Sequence, residues 1–462
     1  MSYGDADALP RTDRAQRGFD SGRQRVTKNL ALRLAVPVVM LGVFLTLGIL
    51  YALHSVIAFD ALRWWGVHPP VTEPFLDLRY IFAGVECWSK GIDVYISNPC
   101  DPLGRPHGYS PLWLRFTLLP SQNWTIVAGF VVDLLFVLSL AAFPPPQNRG
   151  ELAVLLAAAL SPPVVFALQR TNVDVLIFLM LLAAAALWIG RTSRRMLGYG
   201  LVTFAGLLKF YPLIILALAV REKIKTCVAV FGIAGILLIG FVIHFHTELV
   251  EMARNIPTGG YFIGDMFGAK NFPDGIMATH LGTMGNWFGV VIWGALLMLT
   301  SGVAVATFRP LARQKEIVRL APFESALLLF GAAVICGCFF TGQSVGYRGI
   351  FLLLTVPGLL ALHRRSSTRS VRRLAAQATM LVLFVLWQGV LTWNANVLDA
   401  LRPWIGTTLA SAVWTALWSA RELAWWLLAG ILSAIVLCFI VDSSAVVGLW
   451  RRGARHSRVE RS

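Results

Sequence analysis

Apolar residues recur along the chain in runs separated by short polar segments. A helix needs about 20 consecutive apolar residues to cross the hydrocarbon core of a bilayer. Runs of about this length or somewhat shorter lie at 34–57, 123–143, 152–169, 173–190, 226–245, 286–307, 322–341, 349–362, 374–393 and 422–441. They lack the alternation of apolar and polar residues that the strands of a membrane barrel show. The pattern therefore predicts an all-α polytopic membrane protein with about ten full transmembrane helices.

One apolar stretch does not fit a simple crossing. LGYGLVTFAGLLKFYPLIILALAV, at 197–220, has RTSRR before it and REKIK after it. If this stretch crossed once, later basic groups with four, five and five Lys or Arg, at 309–319, 364–373 and 451–461, would all lie outside. Because cytoplasmic loops carry the excess of positive charge, we predict instead a short membrane hairpin that turns at Lys209-Phe210-Tyr211-Pro212.

The same charge rule predicts that both termini lie in the cytoplasm. We expect the chain to lie in the inner (plasma) membrane. We divide the sequence into a basic cytoplasmic tail at 1–33, a single transmembrane domain at 34–441 and a second basic tail at 442–462. No removable signal peptide is predicted, since the first 33 residues are polar and carry seven Lys or Arg. The larger outside loops are expected at 58–122 and 246–285.

Composition agrees with a membrane location. Of the 462 residues, 57% are hydrophobic and only 14% are charged, which excludes an ordinary soluble protein. The formal net charge of +16 would suit nucleic acid if it formed one patch. The basic residues instead lie in short clusters between apolar runs, so we expect a lipid bilayer as the partner and no nucleic acid.

The six cysteines do not have the spacing of a metal site, and no metal is predicted. Cys87 and Cys100 both lie in the first predicted outside loop. They are either two free thiols or a disulfide that closes a loop of about 14 residues, which would stabilise the fold by roughly 3 kcal/mol.

The first outside loop also contains the strongest candidate for catalysis. In FLDLRYIFAGVECWSKGIDVY, at 75–95, Asp77 is followed closely by Arg79 and Tyr80. An isolated loop aspartate is usually an ordinary solvated residue. At the membrane surface, however, a carboxylate could act as general base on a hydroxyl of a lipid-carried substrate.

Three cations are candidates for binding an anionic head group. Lys209 lies at the predicted hairpin turn, where a buried charge costs about 2.5 to 3.5 kcal/mol unless it is hydrated, paired or used. Arg170, in ALQRTNVD, is followed by Asn172, and Arg348 lies in TGQSVGYRGIF. Each could simply anchor its turn at the interface. If they converge, phosphate is their natural ligand.

The second outside loop adds Asn271 and His280, in GAKNFPDGIMATHLGTMGNW. Either could contact a sugar or phosphate, although a single loop histidine is usually ordinary. The chain lacks a P-loop, a GxGxxG after a strand, HExxH and GxSxG in a strand–turn–helix setting. Chemistry on soluble nucleotides is therefore not expected.

Several segments together resemble the polytopic GT-C glycosyltransferases, and among them family 87, which uses polyprenyl-phosphate mannose or arabinofuranose. The similar segments are DLRYIFAGVECWSKGIDVY and YSPL within 77–112, QRTNVD at 169–174, AGLLKFYPLIILALAV from 205 and GYRGIFLLLTVPGLL at 346–360. Their order and spacing cover most of the chain, although each segment alone is loose.

The resemblance implies a GT-C-like bundle that transfers a sugar from a polyprenyl-phosphate donor to a hydroxyl of a glycolipid or glycan. Asp77 matches the catalytic base of the family, and a single displacement would invert the anomeric configuration. Lys209 matches a Lys-Pro or Lys-Tyr-Pro element of the donor site, except that Phe210 and Tyr211 separate it from Pro212. No cofactor is implied, because the lipid-linked sugar is itself a substrate.

The other roles in the predicted site are less specific. Lys209, Arg170 and Arg348 would bind the donor phosphate and stabilise it as it leaves. The remaining candidates for substrate contacts are Arg79, Tyr80, Asn172, Tyr211, Asn271 and His280. The alternative function is a transporter or flippase of a lipid-linked anion. The ionisable residues gather at the outer loops and not in the middle of the spans, which favours an enzyme.

Overall fold

The computed structural model describes residues 11–67, 73–116, 121–255, 266–278, 286–387 and 389–443. Within these ranges the chain forms α-helices, short 3-10 helices and two very short strands. The α-helices are α1 Arg11–Leu53, α2 Ser55–Trp64, α3 Leu76–Ser89, α4 Thr125–Ser139, α5 Arg149–Ala159, α6 Pro162–Arg170, α7 Val173–Trp188, α8 Thr192–Leu208, α9 Ile224–His244, α10 His246–Asn255, α11 Asn271–Met277, α12 Asn286–Gln314, α13 Glu316–Arg319, α14 Pro322–Thr341, α15 Leu352–Arg365, α16 Arg369–Leu386, α17 Gly389–Ile405 and α18 Thr407–Val441.

The remaining elements are short. The 3-10 helices are Pro111–Arg115, Gln122–Trp124, Leu140–Ala142, Tyr211–Arg221 and Gly346–Phe351. Strand β1, Met266–Phe267, pairs antiparallel with strand β2, Ser344–Val345, so that Met266 faces Val345. This ladder ties the segment before α11 to the segment that leads into Arg348.

Seven helical segments of the described chain are long and apolar enough to cross a membrane. They are Leu30–Leu53, Gln122–Ala142, Ile224–His244, Trp287–Gln314, Pro322–Thr341, Gly346–Arg365 and Thr407–Val441. The protein is therefore an all-α multi-pass membrane protein, as predicted. The predicted count of about ten spans is not confirmed.

The difference in the number of spans has identifiable causes. The run at 152–169 forms two helices, α5 and α6, bent by 45° at a break before Pro162 and Pro163, and would make an eighth span if the pair crosses as one. Proline lacks the N–H that continues a helix, which accounts for the break. Helix α7 has 16 residues, or about 24 Å at 1.5 Å per residue, which is shorter than the hydrocarbon core. Helix α16 begins with three arginines, at 369, 372 and 373.

The spans divide into central and peripheral helices. The most apolar windows of Gly346–Arg365 and α14 are 83% and 72% buried inside the protein, whereas those of Leu30–Leu53 and Trp287–Gln314 are 17% and 11% buried. Exposed apolar side chains such as Ile236 and Ile243 on α9 belong to the same outer surface. Helices at the periphery therefore offer their apolar faces to lipid.

The stretch at 197–220 forms a helical hairpin, and its entry into the membrane stays a prediction. Helix α8 ends at Leu208, the chain reverses, and the 3-10 helix Tyr211–Arg221 returns beside it. At the open end, Nε and Nη2 of Arg195 donate to the two carboxylate oxygens of Glu222 at 2.6 and 2.7 Å. This bidentate ion pair joins the start of α8 to the end of the returning segment and places Lys209 at the closed end.

The segment predicted to form the first outside loop is a folded unit built on α3. A disulfide joins Cys87, in the last turn of α3, to Cys100, with Cα atoms 5.9 Å apart. Of the two alternatives left open by the sequence, the structure therefore has the disulfide. It fixes the segment 90–100 against α3 and so helps to hold the polar residues of the loop above the bundle.

Candidate active site

The short turn between α6 and α7 places two charged residues and one amide next to one another. Arg170 ends α6, Thr171 adopts a left-handed conformation with φ 39°, and the Asn172 side chain accepts a hydrogen bond of 3.0 Å from the N–H of Asp174 in the first turn of α7. A cation at the end of one helix and an acid at the start of the next are both favoured by the helix dipoles. The sequence QRTNVD therefore presents both charges at one end of the bundle.

Asp77 binds to this turn through three hydrogen bonds. Arg170 donates from Nε to Oδ2 at 2.8 Å and from Nη2 to Oδ1 at 2.5 Å, and Asn172 donates from Nδ2 to Oδ2 at 2.5 Å. The planar guanidinium matches both carboxylate oxygens, which makes this a bidentate pair. Asp77 lies in the first turn of α3, and α3 is aligned by a 2.7 Å hydrogen bond from the N–H of Phe75 to the carbonyl of Gln169.

The surroundings of Asp77 keep it ionised. Its burial would raise the carboxyl pKa, but the charge and hydrogen bonds of Arg170, the hydrogen bond of Asn172 and the charge of Arg105 together hold that pKa below its usual value of 3.8. Asp77 is only 4% exposed. The site thus contains an anion at neutral pH that is screened from bulk water and can still accept a proton.

A second carboxylate, Asp174, pairs with Lys209. The ammonium of Lys209, which follows the last residue of α8, donates to Oδ1 of Asp174, and the hydroxyl of Tyr211 donates to the same oxygen at 2.6 Å. Asp174 is fully buried, and its Oδ2 has no hydrogen-bond partner within the described ranges. Lys209 is therefore already compensated by a carboxylate before any ligand binds.

Three tyrosines surround Lys209. The Nζ atom lies 5.7 Å from the ring centre of Tyr109, 5.6 Å from that of Tyr211 and 5.8 Å from that of Tyr347. Ring faces at this distance attract a cation. Asn172 also donates to the hydroxyl of Tyr109 at 3.3 Å, so the Asp77 pair and the Asp174 pair are joined in one network.

Arg348 differs from the other cations of this network. Its guanidinium carbon lies 5.0 Å from the ring centre of Tyr211, and its Nε is buried without a hydrogen-bond partner among the described residues. In that part of the chain no carboxylate forms an ion pair with Arg348, whereas Arg170 and Lys209 each have one. We call Asp77, Arg105, Arg170, Asn172, Asp174, Lys209 and Arg348, with Tyr109, Tyr211 and Tyr347, the Asp77 cluster.

Arg105 joins the cluster from the loop that the disulfide stabilises. It donates from Nε to Oδ2 and from Nη2 to Oδ1 of Asp101, each at 2.9 Å, and its Nη1 lies 3.9 Å from Oδ1 of Asp77. Its guanidinium also lies 4.4 Å from the ring centre of Tyr80. The hydroxyl of Tyr80 donates to the carbonyl of Pro106 and accepts from the N–H of Gly108 at 2.6 Å. Tyr80 therefore positions the loop of Arg105.

The structure brings together most of the predicted site residues, but not all. Arg79 points away from Asp77 and forms an exposed ion pair of 2.6 Å with Glu73. Asn271 is buried at the start of α11, where its side-chain oxygen accepts a 3.2 Å hydrogen bond from Gln343. His280 lies outside the described residues. Substrate contacts by Arg79, Asn271 and His280 remain predictions.

Four members of the Asp77 cluster were not predicted from the sequence: Asp174, Arg105, Tyr109 and Tyr347. Asp174 could have been found, because QRTNVD is so short that its charged side chains must project near one another. Nothing in the spacing of Tyr109 or Arg105 indicates their contacts, since these depend on how the loop folds back over α3. Among the described residues, no group of three or more His, Cys, Asp or Glu has an arrangement that could hold a metal ion.

No protein-family model, curated protein or solved structure matches the chain. The function must therefore be argued from the geometry of the Asp77 cluster.

Proposed function

We propose that the protein is an inverting glycosyltransferase that moves a sugar from a polyprenyl-phosphate donor to a hydroxyl of a membrane glycolipid or glycan. The observation that supports this most is that an ionised, screened carboxylate, Asp77, belongs to the same network as Arg348, a cation that has no carboxylate partner among the described residues. In such a site Asp77 could accept a proton and Arg348 could bind a phosphate.

The proposed reaction is a single displacement. The acceptor hydroxyl forms a bond to the anomeric carbon while the bond from that carbon to the phosphate oxygen breaks, and the phosphate leaves with the bonding electrons. Asp77 takes the hydroxyl proton. Because its pKa is low, Asp77 is a weak base toward a free alcohol, so it acts late, when bond formation has made the hydroxyl acidic.

The phosphate departs without an acid catalyst, since cations can stabilise its charge in a site of low dielectric constant. Arg348 is the first cation to meet the phosphate in this mechanism, because it loses no existing ion pair. Lys209 contributes through its ammonium while it remains tied to Asp174, and Arg170 mainly orients Asp77. The sugar is proposed to be mannose or arabinofuranose, and the site is proposed to face the extracytoplasmic side of the inner membrane.

A transfer assay tests this function. The full chain is reconstituted in liposomes with a membrane-lipid extract and given radiolabelled polyprenyl-phosphate mannose, arabinofuranose or glucose. We expect label to move from one donor into a new glycolipid or glycan, with release of polyprenyl phosphate. Label that crosses the bilayer while still attached to its lipid, without any transfer, would contradict the proposal and indicate a flippase.

A further inference from the structure

A second candidate site lies on the other side of the 169–172 turn. Helices α1, α2, α4 and α6 line a half-open cavity of about 410 Å³, which is within the usual range for small-molecule sites. Its wall is almost entirely apolar and includes Leu47, Phe59 and Phe130. Because α1 and α4 belong to membrane-spanning segments, the cavity lies at the depth of the bilayer.

Besides Tyr51, two residues with polar side chains, Asp133 and Gln169, interrupt this apolar wall. Asp133 is fully buried on α4, and its Oδ1 accepts a 3.2 Å hydrogen bond from the hydroxyl of Thr171. Gln169, at the end of α6, donates from Nε2 to the carbonyl of Glu73 at 3.2 Å. The second oxygen of Asp133 and the side-chain oxygen of Gln169 are buried, and neither has a hydrogen-bond partner within the described ranges.

Unmet hydrogen bonds of this kind are costly. A buried polar atom without a partner destabilises a protein measurably, and no lipid chain can supply the missing bond. Both residues line the same cavity. A ligand that bonds to them would therefore supply a hydrogen bond that no described protein group supplies.

The charged residues near the cavity indicate which head group that ligand could have. Among the described residues that line it, none is Lys, Arg or His. A carboxyl group in apolar surroundings without a neighbouring cation is disfavoured as an anion, so Asp133 is best satisfied as a neutral acid that donates a hydrogen bond. The Gln169 oxygen can only accept. A hydroxyl both accepts and donates, whereas an ionised phosphate would need a cation.

We propose that this cavity binds an uncharged lipid whose hydroxyl head group hydrogen-bonds with Asp133 and Gln169 and whose chain lies against α1 and α4. The site is separate from the Asp77 cluster. Gln169 lines the cavity and Thr171 donates a hydrogen bond to Asp133. Arg170 and Asn172, from the same turn, donate hydrogen bonds to Asp77 instead. The inference does not depend on the proposed sugar transfer.

Photolabelling of the full chain in nanodiscs tests the class of ligand. The probes are hexadecanol and hexadecyl phosphate, each with a diazirine at the same position of the chain. We expect the alcohol to label peptides of α1 and α4 at about fivefold lower concentration than the phosphate, the effect of one net hydrogen bond. In Asp133→Leu or Gln169→Leu this preference should fall toward one, even if only one of these variants folds.

A matched pair of tryptophan variants shows whether the label comes from the cavity. Leu47→Trp narrows the cavity and should reduce labelling by the alcohol, whereas Leu45→Trp, on the lipid-facing side of the same helix, should not. Equal labelling by the two probes would overturn the hydroxyl specificity. Labelling that Leu47→Trp leaves unchanged would overturn the site itself and is the result expected if water alone meets the two polar groups.

Discussion

Arg170 and Arg348 are both arginines of one cluster, yet they have different physical roles. Arg170 compensates the buried charge of Asp77 through a bidentate pair. Arg348 has no carboxylate partner in the described part of the chain and is instead stacked near Tyr211. The first arginine should therefore matter for stability, and the second for binding an anion.

Arg170→Met should destabilise the protein by about 3 kcal/mol, because it leaves the Asp77 charge buried without its partner. Asp77→Asn combined with Arg170→Met should recover a substantial part of that loss. Thermal unfolding in detergent measures both effects. The matched control is Arg63→Met, which removes an exposed ion pair with Asp60 and should cost less than about 1 kcal/mol. Equal losses for the two arginine variants would contradict the structural role of Arg170.

Arg348→Gln should weaken binding of polyprenyl phosphate by about tenfold or more, the effect of one charge-assisted hydrogen bond, while leaving the unfolding temperature nearly unchanged. The substitution leaves no carboxylate of the described residues without an ion-pair partner, so we expect only a small loss of stability. Binding of a fluorescent polyprenyl phosphate to nanodiscs measures the change. Arg254→Gln, at an exposed position on α10, serves as control and should not alter affinity. Unchanged affinity in Arg348→Gln would remove this residue from the phosphate site.

Stability should also depend on pH through Asp77. Its pKa in the folded state lies below the unfolded value of 3.8, so the stabilisation by Arg170 and Asn172 is fully present above pH 3.8 and is lost as the pH falls through the folded-state pKa. The difference in unfolding temperature between the wild type and Asp77→Asn should be constant from pH 7 to about 5 and shrink below pH 4. A difference that already shrinks between pH 7 and 5 would show that the carboxyl pKa is not lowered.

At the scale of elements, helix α3 supplies Asp77, the loop after α3 supplies Arg105, and three further segments complete the Asp77 cluster. The α6–α7 turn supplies Arg170 and Asn172, the closed end of the hairpin supplies Lys209, and the 3-10 helix Gly346–Phe351 supplies Arg348. A reversal of the chain near Lys209 was predictable, because the distribution of Lys and Arg disfavours a single crossing. The pairing of each cation with its own acid was not, since it depends on contacts between residues as far apart as Asp77 and Arg170.

The disulfide should be an important stabiliser of the first outside loop. Cys87→Ser with Cys100→Ser should lower stability by about 3 kcal/mol, since the cross-link closes a loop of roughly 14 residues. Limited proteolysis should then cleave within 90–110, where Arg105 and Tyr80 normally contact each other. Dithiothreitol should reproduce this cleavage in the wild type and have no further effect in the double variant. Resistance of the double variant to protease would mean that the loop folds without the cross-link.

At the scale of the whole molecule, the sequence predicted the class of protein, whereas its count of about ten spans is not confirmed. Runs of apolar residues identify lipid-exposed helices well, because those helices are apolar on all sides. Helix α7 is also apolar, but at 16 residues it is shorter than a span and its side chains are mostly buried in the bundle. Composition alone cannot separate a short buried helix from a transmembrane one, so the topology needs the tertiary structure.

Sugar transfer by Asp77→Asn, compared with Glu86→Gln, decides whether the Asp77 cluster is catalytic. Glu86 lies on the same helix and has an exposed ion pair with Lys90, so it is the matched control. In a single-turnover assay with the donor that the wild type uses, we expect Asp77→Asn to lose at least about a hundredfold in rate, the range of a general base, while binding of polyprenyl phosphate persists. Glu86→Gln should keep the wild-type rate. Undiminished transfer by an Asp77→Asn protein that folds and binds the donor would contradict the proposed role of Asp77.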